Sequence, residues 1–232
     1  MARRRRSATA PAWTCPNSAC RYRLASHFAH VTVRYAAALN GLDALLLSPG
    51  ADLRYLTGYD AKPLERLTCL VLPVEGSPFL LVPALEQPAA QASPAGRLGI
   101  GITGWNETDD PYAIVAARLP AWTARVGVDN HMWAEKTAAF HAALPGARQE
   151  LAGSVLNELR MRKTPQEAAA LRRAGAAIDR VHTRMASGYG QDAPNGRSAG
   201  TSPAAITAEG HARVDVVIVG VRRTDCDLVV LP

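Results

Sequence analysis

Three small groups of side chains stand where chemistry could be done. Tyr55 and Tyr59 flank a Thr57-Gly58 turn, from which a phenol can face a substrate or cap the edge of a sheet. Glu65 and Arg66 are adjacent opposite charges at the entrance to an apolar run. Such a pair can reach across a subunit boundary to a partner's site, or remain solvated. His131 and Trp133 follow a strand-like segment, a common station for functional loop residues on a rigid scaffold, although surface and packing roles fit the same pattern. Asp225 and Asp227 are two carboxylates without a His or Glu beside them, a set that binds divalent transition metals poorly. His182 falls on the polar side of a helical stretch, and His211 follows Gly210 near a helix end, where a cation complements the dipole.

The cysteines add no metal site. Cys15 and Cys20 have four residues between them, Cys69 lies in the apolar run Leu67–Leu72, and Cys226 is isolated. That spacing argues against zinc, and Cys69 reads as a small packed hydrophobe. With no disulfide framework, a reducing cytoplasm is the expected compartment. The net charge of +6 is equalled by Arg3, Arg4, Arg5, Arg6, Arg21 and Arg23, the only charged residues before Arg34. The basic character therefore belongs to a leader, read as disordered over residues 1–27, and the body is neutral. A nucleic-acid-binding domain would place its positive stripe on a folded face; electrostatic binding through the Arg run stays as an alternative. No segment has the apolar length of a membrane span.

The elements that must position these residues alternate. The sequence predicts a helix from about Phe28, with Val31, Tyr35, Ala38 and Leu39 on its apolar face and Asn40-Gly41 as its stop. Strands are expected at Asp43–Leu47, Leu67–Pro73, Phe79–Val82, Leu98–Ile102 and Arg125–Val128, with a hairpin at Glu75–Pro78. Helices are expected at Ala51–Leu56, Leu85–Ala92, Pro111–Leu119 under an Asp110 cap, Ala134–Leu144 and Leu151–Arg162. This pattern implies an α/β domain of roughly 120 residues, a mixed sheet flanked by helices. Thr164-Pro165-Gln166-Glu167 is a capping box; it opens a helix with Leu171, Ala174, Ile178, Val181 and Met185 as its stripe. Ala186–Thr207 has no periodicity, and a loop of that length inside a compact domain is improbable; a buried strand is expected at Val214–Val219.

Three stretches resemble the Xaa-Pro dipeptidase and aminopeptidase P family: Gly41–Tyr59, with its Tyr55-Leu56-Thr57-Gly58 turn; Glu65–Pro73; and Leu156–Met185, with Lys163-Thr164-Pro165-Gln166-Glu167. The likeness returns at Ala208–Val214 and Val217–Gly220. It implies a creatinase-like N-terminal domain at 28–150, a linker helix at 151–163 and the start of an α+β pita-bread metallopeptidase domain at 164–232. The family reaction is hydrolysis of the Xaa-Pro bond by two divalent metal ions, manganese, cobalt or zinc, held by two Asp, one His and two Glu. The resemblance also implies a dimer in which the N-terminal domain overhangs the partner's active site, which makes Tyr55, Tyr59, Glu65, Arg66 and His131 the substrate-proximal candidates.

Two departures qualify that expectation. Where the family has a Gly-Arg-Thr-Glu helix start, Ala186–Thr207 keeps the length and loses the pattern. After Val217–Gly220 the family continues into a Gly- and His-containing loop, and Val221–Pro232 stands in its place. Compensating frame shifts in the gene would produce both. The expectation is a truncated peptidase-like protein, without the metal ligands and inactive alone; it would act as a dimer or with a full-length relative, and meet proline-containing peptides only where a complete site is supplied. The alternative is a non-catalytic dimerisation and interaction domain.

Overall fold

The computed structural model describes residues 30, 32–188, 203–212 and 214 of the 232-residue chain. The chain divides into two compact units between Met161 and Arg162.

The first unit is built on one six-stranded sheet of order β4-β3-β2-β1-β5-β6. The strands are β1 (Ala44–Leu47), β2 (Cys69–Pro73), β3 (Phe79–Pro83), β4 (Gly101–Trp105), β5 (Arg125–Val128) and β6 (Arg148–Leu151). Pairs β1–β2 and β2–β3 are antiparallel, and β3–β4, β1–β5 and β5–β6 are parallel. The expected mixed sheet is therefore present. The central strands are short apolar runs because both faces are covered, and alternate residues supply two cores. Leu45, Leu47, Leu70, Leu72, Leu80 and Val82 face one layer, together with Leu53, Ala90, Val155 and Leu156 of the covering helices. Leu46, Cys69, Val71, Leu81, Val126 and Val128 face the other, against Val115 and Phe140.

The helices of the first unit are α1 (residues 32–39), α2 (Ala51–Thr57), α3 (Gln87–Ala92), α4 (Pro111–Arg118), α5 (Ala134–Ala143) and α6 (Gly153–Met161). Local chemistry sets their ends as anticipated. Asp110 Oδ1 accepts from the Tyr112 and Ala113 amides at 2.9 and 3.1 Å. Gly58, at φ 70°, closes α2 through the Arg54 carbonyl, a left-handed cap that favours glycine. The second unit holds α7 (Pro165–Gly188) and α8 (residues 203–208). Its capping box is formed: the Thr164 amide donates to Glu167 Oε2 at 2.7 Å, and the Glu167 amide donates to Thr164 Oγ1 at 3.2 Å.

Several expectations are corrected. Helix α1 buries Val33 and Ala37, not the expected face; Tyr35 and Leu39 are 66% and 70% exposed and Ala38 is exposed too. Two small residues let the helix lie close to the sheet, and the bulkier apolar ones are turned outward. β4 starts three residues later than Leu98, because Gly99 at φ 76° interrupts the extended run. β6 was not foreseen at all. Its Arg-Gln-Glu-Leu sequence has no apolar alternation, and it pairs on one side only, with β5. On α7, Leu171 and Ala174 are exposed, Ile178 is half-buried, and Ala177 joins Val181 in burial. Within the aperiodic segment, α7 runs on to Gly188 and residues 203–208 are helical. The strand expected at Val214–Val219, Asp225 with Asp227, and the Arg-rich leader lie outside the described residues, save Val214, which is in no strand.

Candidate functional site

The strand registers bring the chemistry-bearing loops to one edge. Leu47 of β1 pairs with Leu70 of β2, Leu46 with Val128 of β5, Pro83 of β3 with Trp105 of β4, and Val128 with Leu151 of β6. The carboxyl ends of β1, β3, β4, β5 and β6 and the start of β2 therefore share a single edge. The chain leaves β1 toward β2 and leaves β5 in the opposite direction, toward β6. In open α/β sheets, the crevice at such a reversal is a usual ligand position.

A cavity of about 260 Å³ opens at that reversal, lined by Ser48, Gly50, Ala51, Asp52, Asp129, His131 and Arg160. Asp129, the residue after β5, organises it. Its Oδ2 accepts from the Ser48 amide and hydroxyl, both at 2.6 Å, and its Oδ1 accepts from the His131 amide at 2.8 Å. At 6% exposure the carboxylate is held by these charge-assisted hydrogen bonds. Arg160 of α6 donates to Asp52 Oδ1 at 2.7 Å, bridging to the first turn of α2.

Beside the cavity, residues 58–68 carry the chain across the same edge from α2 to β2. Of the candidates named from sequence, Tyr59 is 8% exposed and packs in the core, with Tyr55 half-buried against the same cluster. Burial first, and the Glu86 charge second, raise the Tyr59 phenol above its ordinary range. Glu65 is exposed. Arg66 is half-buried, and its Nε stands 3.1 Å from Glu107 Oε1 in the β4–α4 connection. His131 is exposed at the mouth of the cavity. The edge thus collects Glu65, Arg66 and His131 on its loops, while the two tyrosines turn their bulk into the core layer.

Sequence reasoning missed three participants. Ser48 reads as turn chemistry, and Asp129 as the polar end of a strand; an acid placed directly after a buried strand was the available signal. Lys136 gives no signal, since a lysine in a helix reads as solvated. It is nevertheless 2% exposed, with Nζ donating to the Leu64 carbonyl at 2.5 Å and the Arg66 carbonyl at 3.3 Å. Its ammonium lies 4.8 Å from the centre of the Trp133 ring, within cation–π range. Desolvation lowers its pKa, opposed mainly by Cys69 and Glu135. Cys69, fully buried below, has its thiol pushed far up, chiefly by the same desolvation. A thiol held protonated is not a nucleophile. Iodoacetamide followed by mass spectrometry is therefore expected to leave Cys69 unmodified in buffer and to alkylate it in urea.

The described residues do not fit a metal centre. They contain no group of three or more His, Cys, Asp or Glu side chains able to hold an ion, and the two carboxylates lining the cavity are committed, Asp129 to three donors and Asp52 to Arg160. No helix among them is long and apolar enough to cross a membrane.

A six-stranded mixed sheet of this strand order, layered on both faces by helices and with its loops gathered at one edge, defines a mixed α/β domain. Residues 32–162 match the Creatinase/Prolidase N-terminal domain, and the chain belongs to that family. It is 43% identical over 185 residues to "Probable dipeptidase PepE" of Mycobacterium tuberculosis, covering 80% of this chain and 49% of that protein. It is 28% identical over 146 residues to "Xaa-Pro dipeptidase" of Lactobacillus helveticus, covering 59% of this chain and 38% of the relative. Among solved structures, dipeptidase PepE from Mycobacterium ulcerans superposes with a TM-score of 0.78 at 38% identity, covering 84% of this chain and 53% of that one. The prolidase from Thermococcus sibiricus shares the fold, at TM-score 0.69 and 22% identity, over 81% of this chain and 51% of its own. The chain spans about half the length of the curated PepE proteins it matches.

Proposed function

We propose that this chain supplies the N-terminal domain of an Xaa-Pro dipeptidase-type metallopeptidase, that it does not hydrolyse peptides by itself, and that it works as a dimer or beside a full-length family member. The observation that carries this is the extent of the likeness to the PepE proteins, which runs through the whole domain and on beyond it. The donor chemistry supports the second part: among the described residues no cluster can hold the two metal ions that such a reaction uses. Tyr35 and Leu39, large, apolar and exposed on α1, support association. In the assembled peptidase, Glu65, Arg66 and His131 would border a proline-containing peptide from the carboxyl edge, with Tyr55 and Tyr59 shaping the base of that edge from within.

The test is direct. Purified protein is incubated with manganese and the dipeptide Ala-Pro, with a chelated sample as control. Release of proline at the control rate is expected; turnover above it would refute the inactivity of the chain alone.

A further inference from the structure

Lys136 occupies an unusual position for a lysine. It is the third residue of α5, almost wholly buried, and among the described residues it forms no ion pair. A buried ammonium is costly unless its hydrogens are all engaged. Here two of the three find the Leu64 and Arg66 carbonyls, and the Trp133 ring takes the remaining side of the charge. Both carbonyls belong to one loop and lie about seventy residues away in sequence.

The first part of that loop has its own ties, Asp60 Oδ2 to Arg54 at 3.4 Å and Ala61 against the core. Tyr59 and Leu67 are buried and fix its ends, and the Leu67 carbonyl accepts from Trp105 Nε1 at 2.8 Å. Between them, Asp60 and Lys62 to Glu65 are exposed, and the backbone bond within the loop, from the Leu64 amide to the Lys62 carbonyl, is local. Lys136 therefore connects the last part of the loop, at Leu64 and Arg66, to helix α5. It grips Arg66 by its backbone, leaving the guanidinium to meet Glu107. A methionine of similar length would fill the same space but donate nothing, so the burial alone does not account for a lysine here.

We propose that Lys136 is a positioning residue: with Trp133 it clamps residues 64–66 and thereby fixes where Arg66 presents its guanidinium at the carboxyl edge. Its use in peptide hydrolysis rests on the reading of Arg66 given under the proposed function; the clamp itself does not. Charge, donor number and length all matter to it, so arginine, which keeps the charge and the donors, is a partial substitute and methionine is none.

The experiment compares the full chain with K136M and K136R. Hydrogen exchange is followed by mass spectrometry in peptides covering residues 60–68, with β2 and β5 as internal references, and the Arg66 Nε–H resonance is followed by NMR. In K136M, exchange of the Leu64 amide, which is hydrogen-bonded within the loop, is expected to rise at least ~10-fold while β2 and β5 stay within ~2-fold, the pattern of local rather than global opening. The Arg66 Nε–H signal should shift and broaden, and K136R should restore part of both. Unchanged loop exchange overturns the clamp. An equal rise in β2 and β5 also overturns it, since Lys136 would then be a general core residue. No readout requires turnover. Failure of the peptidase reading would instead appear as an R66A substitution without effect on Ala-Pro hydrolysis in an assembly with a full-length relative.

Discussion

Replacing Asp129 with alanine is expected to destabilise the first unit by about 3 kcal/mol, because buried donors that lose a charged acceptor bear their own desolvation cost. Asp129 receives the Ser48 amide, the Ser48 hydroxyl and the His131 amide, and its own amide donates to the Leu46 carbonyl at 3.1 Å. These bonds stitch the loop after β1 to the loop after β5, across the point where the chain reverses direction in the sheet. The alanine variant leaves the Ser48 donors buried with no acceptor of comparable strength. Asn keeps one acceptor oxygen, and D129N should lose about half as much. S48A removes a donor together with its need, so it should fall below either, at about 1 kcal/mol. Urea denaturation of the three variants, read by fluorescence and circular dichroism, orders them. If D129A matched wild type, the network would be incidental to the fold.

The second large effect is steric. Phe140 of α5 is fully buried and meets Tyr112 of α4 edge-to-face, with centroids 4.9 Å apart at 81°. It also packs in the layer containing Leu46, Val71 and Val128. F140A removes the ring and leaves a void that the short strands cannot collapse to fill, for an expected loss of about 4 kcal/mol. F140L should cost less than half of that, since it retains most of the buried volume. Denaturation midpoints measure the difference. A loss under about 1 kcal/mol for F140A would mean that the layer repacks freely.

The ease with which the sequence yielded this fold varied with the chemistry of each element. Short, uniformly apolar segments such as Ala44–Leu47 and Cys69–Pro73 announce strands covered on both faces, and the Asp110 cap and the Thr164–Glu167 box mark helix starts without ambiguity. β6 was illegible because its pairing with β5 comes from the sheet and not from its own polar residues. The facing of α1 failed for a related reason: size and proximity to the sheet chose Val33 and Ala37 over larger apolar neighbours. At the edge, charged loop residues could be listed as candidates, but which of them hold the scaffold could not. Asp129 and Lys136 both look like ordinary surface residues in one dimension, and their roles depend on partners about seventy to eighty residues distant.

The opposite edge of the sheet has a practical meaning. There lie the starts of β5 and β6 and the turn at Pro145-Gly146. A side-chain carbon placed on Gly146 would have nothing within 4 Å. A fluorophore, spin label or surface tether attached at that turn would leave the carboxyl edge untouched and uncovered. The protein can thus be immobilised in one known orientation, with the loops of interest facing the solution.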